Sequence, residues 1–221
     1  MNKTSFTPRH IAVMAMFSAI AFITVVFSEF IPKVEGFLSY EPKDSVVVIA
    51  GLLFGPVHTV IIAFIVSFIE MITISATGPI GFLMNVISTC AFALPASMFY
   101  RKNRTQKGAV IGLCIGVVCM TAAMLLWNYI ITPLYMNVDR STVVAMLIPV
   151  FLPFNLLKGG LNAGLTLLLY KPVVTALRAT HLVEPSNAQT GKARFSAGFF
   201  IISLVILVSL VLAFLAFAGV F

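Results

Sequence analysis

The feature that most constrains this chain is a series of long apolar runs that contain almost no charge. They lie at about residues 10–31, 45–74, 80–100, 109–132, 143–176 and 195–221. About 20 apolar residues are enough for an α-helix to cross the hydrocarbon core of a bilayer. Only 10% of all residues are charged, whereas soluble domains carry about 25%. The sequence therefore predicts an all-α, polytopic membrane protein.

The chain offers no segment polar enough for a separate globular domain. We predict one transmembrane core at 1–180, a polar cytoplasmic linker at 181–194 and a further transmembrane helix at 195–221. The first apolar run follows Lys3 and Arg9 without a cleavage site, so it is interpreted as a transmembrane helix and not as a removable leader.

The second apolar run is too long for one simple crossing, and charge decides how it is interpreted. With a cytoplasmic N-terminus, the acid-containing loop 32–44 lies outside. A single helix over 45–74 would then place the basic segment 101–107 outside as well. That arrangement contradicts the preference of Lys and Arg for cytoplasmic loops, so the run must turn back within its length.

Gly55 and Pro56 supply the turn. Gly accepts unusual backbone angles, and Pro favours the first position of a helix. The run is therefore divided into a short helix at 45–54 and a full helix at 56–74. At about 1.5 Å per residue the short helix crosses only about half a bilayer, so its ends must be buried in protein or face water.

With this division, the charges separate unevenly between the two sides. The cytoplasmic side holds Lys3, Arg9, Arg101, Lys102, Arg104, Lys107, Lys171, Arg178, Lys192 and Arg194, against the acid Glu184. The outer side holds Lys33, Lys43 and Arg140, against Glu29, Glu35, Glu41, Asp44 and Asp139. This asymmetry predicts a cytoplasmic N-terminus and, after the seventh helix, an extracellular C-terminus.

Polar side chains inside the apolar runs are expensive in a membrane, so their positions are informative. The set consists of Glu70, Asn85, Asn128, Asn155, Lys158 and Asn162. The predicted topology places most of this set in the outer half of the membrane, on four different helices. Asn155, Lys158 and Asn162 share one helix face.

Each of these side chains also has a structural interpretation: Asn can join helices, Lys158 can reach the interface, and Glu70 can cap a helix. Their convergence favours a binding pocket open to the outside, with Trp127 either lining it or lying in the interfacial belt. Amides and an ammonium group suit a flat heteroaromatic ligand with carbonyl and N–H edges.

A small-residue strip on the first helix consists of Ala12, Ala15 and Ala19, for which packing within the chain is the simpler interpretation. The sequence lacks the GxxxxGK[ST], HExxH and GxSxG motifs, which argues against an enzyme. The net charge of +7 is explained by cytoplasmic loops, so nucleic acid is not an expected partner. No cofactor or metal is predicted.

Three segments resemble the riboflavin-specific substrate-binding subunits, or S components, of energy-coupling factor (ECF) transporters. They are 153–159 (PFNLLKG), 128–135 (NYIITPLY) and 54–56 (FGP), and the resemblance covers about residues 8–180. It implies a six-helix core in the bacterial cell membrane that binds riboflavin from outside. It also implies a separate transmembrane coupling subunit and two ATPase subunits as partners. The helix at 195–221 is additional to this pattern.

By motif position, the resemblance implies that Asn128, Asn155 and Lys158 hydrogen-bond the isoalloxazine ring. It further implies that Leu38, Tyr40 and Glu41 contact the ligand from the outer loop, and that the face with Ala12, Ala15 and Ala19 meets the coupling subunit. Glu70 and Asn85 are included on the depth argument.

FMN is a second candidate ligand, with Lys158 the single cation for its phosphate. The alternatives are an S component for another vitamin or heterocycle, a stand-alone ion-coupled carrier that uses Glu70, and a structural scaffold.

Overall fold

The structure, a computed structural model, describes residues 7–180 and 197–220 as a bundle of α-helices. The helices are α1 (Pro8–Ser28), α2 (Lys43–Phe54), α3 (Pro56–Thr73), α4 (Gly78–Lys102), α5 (Gln106–Ile130), α6 (Thr132–Met136), α7 (Arg140–Met146), α8 (Leu152–Ala179) and α9 (Ala197–Phe217). The predicted linker at 181–194 lies outside the described residues.

Six helical stretches of the described chain are long and apolar enough to cross a membrane. They are α1, α3, α4, α5, the stretch Arg140–Ala179 and the stretch Phe200–Phe217. Together with the short α2, they give the predicted six-helix core and a seventh helix after it. The prediction of an all-α polytopic membrane protein is confirmed.

The turn between α2 and α3 forms where the sequence predicts it. α2 ends at Phe54, and α3 begins at Pro56. Gly55 has a φ of 95°, a left-handed backbone conformation that side chains disfavour. A Cβ built on Gly55 would lie 3.8 Å from the Arg101 guanidinium, so the turn lies beside the basic end of α4.

The position of this turn sets the depth at which α2 begins. α2 ends at the basic end of the bundle and has 12 residues, so its first residue, Lys43, lies only about 18 Å from that end. Its N-terminus therefore lies inside the bundle. All residues from Lys43 to Leu52 are buried, on every face of the helix, as a half-helix in a membrane requires.

The helical stretch that corresponds to the apolar run at 143–176 begins slightly before that run. Helical structure begins at Arg140 in α7 and continues through a π-helical turn, Leu147–Phe151, into α8. Pro149 lies in this turn. Proline lacks an N–H and crowds the carbonyl of the preceding turn, and a wider turn accommodates it without ending the helix.

The seventh helix, α9, packs along α8. A Cβ built on Gly160 would lie 3.2 Å from Leu210, and one built on Gly164 would lie 3.2 Å from Leu207. These two glycines are four residues apart, so they form one small-residue seat on α8. The face of α9 that carries Leu207 and Leu210 therefore packs on the protein and not on lipid.

The alanine strip of α1 faces away from the bundle. Ala12, Ala15 and Ala19 are all exposed, whereas Val13 and Phe17 of the same helix are buried. The simpler interpretation from sequence, packing of the strip within the chain, is therefore wrong.

Two glycines of α5 allow a close backbone contact between α4 and α5. A Cβ built on Gly116 would lie 2.3 Å from the carbonyl oxygen of Phe92, and one on Gly112 would lie 3.0 Å from that of Ala96. Backbone atoms cannot move aside as a flexible side chain can. The absence of a side chain at these two positions therefore allows α4 and α5 to touch.

We predict that Gly116→Leu destabilises the protein by roughly 1–3 kcal/mol or more, because overpacking forces the two backbones apart. The measurement is the thermal unfolding midpoint in detergent. Ala122→Leu is the control, since Ala122 is exposed on the same helix and its enlarged side chain meets lipid. Equal midpoints for the two variants would contradict the close contact.

Candidate ligand-binding site

The segment between α1 and α2, residues 29–42, brings charged groups into the interior of the bundle. Glu41, Lys43 and Asp44 retain only 8%, 1% and 0% of their exposure. The sequence interpretation treated all three as charges of an outer loop. The structure corrects this, because the short α2 starts at depth and the preceding residues must descend to meet it.

Two lysines hold the carboxylates in this interior. Lys158 Nζ on α8 donates a hydrogen bond to Glu41 Oε2 at 2.9 Å, and Lys43 Nζ lies 3.4 Å from the same oxygen. Lys43 also forms an ion pair with Glu70 on α3. The four charges Glu41, Lys43, Glu70 and Lys158 therefore connect residue 41, α2, α3 and α8, and each of these four has a partner of opposite sign.

Neutral groups from α4 donate hydrogen bonds to two carboxylates. Asn85 Nδ2 donates to Glu70 Oε1 at 2.6 Å, and Thr89 Oγ1 donates to Asp44 Oδ1 at 2.6 Å. Glu70 and Asn85, both predicted as site residues from their depth, are thus brought together. Glu70 has partners on two other helices, Asn85 on α4 and Lys43 on α2, so its contacts hold three helices together.

Asn162 connects α8 to the segment before α2. Its Nδ2 donates to the backbone oxygen of Glu41 at 3.2 Å, and its Oδ1 accepts from Ser45 Oγ at 2.7 Å and from Tyr40 Oη at 3.4 Å. The set Glu41, Lys43, Asp44, Ser45, Glu70, Asn85, Thr89, Lys158 and Asn162 is called the polar cluster below.

The electrostatics of the cluster favour ionised Glu41. Burial raises the pKa of Glu41, but the charges and hydrogen bonds of Lys158 and Lys43 outweigh burial and lower it to about 2. Burial also raises the pKa of Tyr40, and the negative charge of Asp44 adds to the effect. Tyr40 therefore stays protonated and can donate its hydrogen bond to Asn162.

Asn128 and Asn155 are buried, yet their amides bond within their own part of the chain. Asn128 Nδ2 donates to the Met124 oxygen at 2.8 Å, and its Oδ1 accepts from Thr132 at 2.8 Å. Asn155 Nδ2 donates to the Phe151 oxygen at 2.7 Å. The structure therefore places both amides inside the bundle without hydrogen-bonding them to the polar cluster.

Leu38 and Trp127 are both half-buried. The segment around Leu38 folds into a tight turn, in which Val34 and Leu38 exchange backbone hydrogen bonds of 3.0 Å. Leu38 packs against a small apolar cluster that contains Tyr40, and Trp127 packs against the main core. The segment is thus an ordered cover over the polar cluster.

Sequence reasoning missed Lys43, Asp44, Ser45 and Thr89 as parts of this interior. For the first three residues a signal existed, because a short helix whose ends must be buried places its first residues at depth too. Thr89 has no such signal, since one hydroxyl inside an apolar helix usually bonds the preceding turn.

The arrangement can bind a polar, planar guest but offers little for covalent chemistry. Its uncommitted capacity lies in amides, which can both donate and accept, and in the Lys158 ammonium group, which can donate to a carbonyl oxygen. The fold and this interior define a class: a multi-pass membrane protein with a shielded polar interior.

The chain belongs to the family described as ECF transporter, substrate-specific component, whose model matches residues 9–170. The riboflavin transporter FmnP of Bacillus subtilis (strain 168) is 26% identical over 186 residues, which cover 79% of this chain and 98% of that protein. The riboflavin transporter RibU of Staphylococcus aureus (strain TCH60) is 27% identical over 176 residues, 77% of this chain and 93% of its own length.

RibU of Streptococcus thermophilus is 29% identical over 179 residues, 76% of this chain and 84% of that relative. A solved structure described as the S component of a bacterial ECF transporter superposes with a TM-score of 0.64 at 28% identity. The superposition covers 76% of this chain and 96% of the solved chain.

We predict that Glu41→Gln destabilises the protein by about 3–5 kcal/mol, because Lys158 loses its buried counter-charge. Glu29→Gln, which breaks an exposed pair with Lys33, is the matched control and changes stability by about 0–1 kcal/mol. Thermal unfolding of both variants measures the difference, and equal effects would show that the Glu41 pair is unimportant.

The same pair of variants has a defined pH dependence. Because folding lowers the pKa of Glu41 from 4.5 to about 2, its stabilisation is complete above about pH 4.5 and is lost as the pH falls towards 2. The stability difference between wild type and Glu41→Gln should therefore be constant from pH 8 to 5 and shrink below about 4.5. A difference that shrinks already near neutral pH contradicts this ion pair.

Proposed function

We propose that this chain captures riboflavin as the substrate-binding subunit of an ECF-type importer. Family membership supports the transport role, and the similarity to proteins named riboflavin transporters supports the ligand. The observation that carries the proposal is the burial of Lys158, Asn155 and Asn128 in one helical bundle, beneath a cover that supplies Glu41.

The flavin ring matches these side chains chemically. Its pyrimidine edge carries carbonyl oxygens and an N–H, which an Asn amide can meet with both a donor and an acceptor. Each Nδ2 of Asn128 and Asn155 uses one of its two hydrogens within the chain, so a second hydrogen is available. Lys158 supplies a further donor towards a carbonyl oxygen.

The segment 29–42 closes the proposed site. Leu38 and Tyr40 provide apolar and aromatic surface, and Glu41 holds Lys158 by an ion pair. Riboflavin entry requires this segment to move, because Lys158 and Asn162 are bonded to it. In the proposed mechanism, ligand contacts and the Glu41 pair then share Lys158, so binding and closure of the cover favour each other.

Transport itself is assigned to partners. The chain contains no Walker A motif, so in this proposal ATP is hydrolysed by two separate ATPase subunits, and the chain is not an enzyme. A transmembrane coupling subunit docks on the exposed face formed by Ala12, Ala15 and Ala19, because small residues let two helices approach closely.

The proposed orientation in a bacterial cell membrane has the N-terminus in the cytoplasm and the C-terminus outside. Its support is the grouping of Arg101, Lys102, Arg104 and Arg178 at the ends of α4 and α8 that lie opposite the polar cluster. Cytoplasmic ends of membrane helices are enriched in such cations.

Binding is the first test. Purified protein should bind riboflavin, and Asn128→Ala or Lys158→Ala should weaken binding by about 1–3 kcal/mol, the loss of one buried partner. The measurement is quenching of riboflavin fluorescence on titration. Asn103→Ala and Lys107→Ala are the controls, because both residues are exposed far from the cluster. Unchanged affinity in both test variants would refute the site.

Coupling is tested separately. Ala15→Leu combined with Ala19→Leu should lower ATP-driven riboflavin uptake by roughly tenfold or more in cells that supply the coupling and ATPase subunits, because bulk at the interface costs about 1.4 kcal/mol or more. Riboflavin binding should be unchanged. Ala122→Leu, the same type of substitution at one exposed position of α5, should leave uptake intact. Normal uptake by the α1 variant would exclude this face.

A further inference from the structure

α9 contains one large side chain whose burial is out of keeping with the rest of the helix. Phe214 is only 2% exposed, whereas Leu212 nearby is 52% exposed and Val211 is 41% exposed. A helix that only anchors a chain in lipid has no need to bury one particular aromatic ring. The burial of Phe214 therefore points to specific contacts within the protein.

Phe214 packs against the cover of the proposed site. Its ring centroid lies 5.7 Å from that of Tyr40 and 6.4 Å from that of Phe154, within the usual range for aromatic pairs. Phe154 belongs to α8 and Tyr40 to the segment 29–42. Phe214 thus joins three parts of the chain at the end of the bundle that holds the polar cluster.

The two glycines of α8 fix the position of the Phe214 ring along the bundle. Leu210 meets Gly160, and Leu207 meets Gly164. Phe214 follows Leu210 by four residues, one helical turn. Because α9 runs antiparallel to α8 and both glycines admit close packing, the register that seats these two leucines places Phe214 beside Tyr40.

Tyr40 leads directly to the ligand-binding groups. Its hydroxyl donates to Asn162 Oδ1, and Asn162 Nδ2 donates to the backbone of Glu41. Glu41 in turn holds Lys158. Phe214 is therefore connected through Tyr40 and Asn162 to Glu41, the partner of Lys158.

We propose that α9 is an intrachain strap, in which Phe214 acts as a positioning residue that keeps residues 38–41 closed over the ligand and slows its release. The inference rests on the proposed riboflavin site. The family match ends at residue 170, before α9 begins, so the strap is an addition to the substrate-binding core.

The experiment uses the full chain in detergent with riboflavin as the probe. Stopped-flow fluorescence after dilution or displacement gives the dissociation rate. Phe214→Ala should raise this rate roughly two- to tenfold, the loss of an aromatic contact, while the association rate changes little. Phe214→Leu, which keeps apolar bulk, should fall between wild type and Phe214→Ala. Leu212→Ala, on the exposed face of α9, should match wild type.

A double-variant cycle separates positioning from general stability. If Phe214 acts through Tyr40, then adding Phe214→Ala to Tyr40→Ala should raise the dissociation rate no further. Additive effects would overturn the assignment, since they would mean that Phe214 acts elsewhere. If Phe214→Ala fails to fold, Phe214→Leu and its combination with Tyr40→Ala supply the same comparison.

The outcomes distinguish the strap from the site. Dissociation from Phe214→Ala at the wild-type rate, with weakened binding in Lys158→Ala, overturns the strap and leaves the riboflavin site standing. Unchanged binding in both Lys158→Ala and Asn128→Ala overturns the site and the strap with it. Faster release from Phe214→Ala, intermediate release from Phe214→Leu and normal release from Leu212→Ala support the strap.

Discussion

The organising constraint in this protein is charge compensation in a medium that solvates ions poorly. Glu41, Lys43, Asp44, Glu70 and Lys158 are all buried, and an isolated ion there would be far less stable than in water. Lys43 touches two carboxylates, and Glu41 touches two lysines. Because Glu41, Lys43, Glu70 and Lys158 come from four different parts of the chain, their pairing restricts how the helices can be arranged. Removing Glu41 leaves Lys158 without a counter-charge, and removing Lys43 does the same to Glu70, so the network constrains the fold even where it contacts no ligand.

The short α2 explains how so many charges reach that depth. Gly55 turns the chain at the basic end of the bundle. Measured from that end, the 12 residues of α2 reach only part of the way across the bundle, so the helix begins in its interior. The chain must then cover the remaining distance with residues 29–42, which fold down into the bundle instead of spanning it. A longer α2 would raise Lys43 and Asp44 towards solvent. The length of one helix therefore sets both the depth of the polar cluster and the presence of a cover above it.

Most of the fold could be predicted from sequence because the membrane simplifies the problem: apolar runs mark the helices, and cations mark one side. The one run that had to be divided, 45–74, turns at Gly55 and Pro56 as their residue types predict. Side-chain pairing could not be predicted in the same way. The sequence marks Glu70 as deep but does not reveal its ion pair with Lys43, since that pairing depends on where α2 starts. The burial of Phe214 was also invisible, because every residue of α9 is equally compatible with lipid.

The exposed alanines of α1 have an entropic consequence. Ala12, Ala15 and Ala19 have no side-chain torsions to restrict, so a partner helix that covers them orders almost nothing on this chain. Leucines or methionines at the same positions would each lose rotamer freedom on contact and regain it on separation. A surface of this kind can dock and release a partner helix with little free-energy change from side-chain ordering.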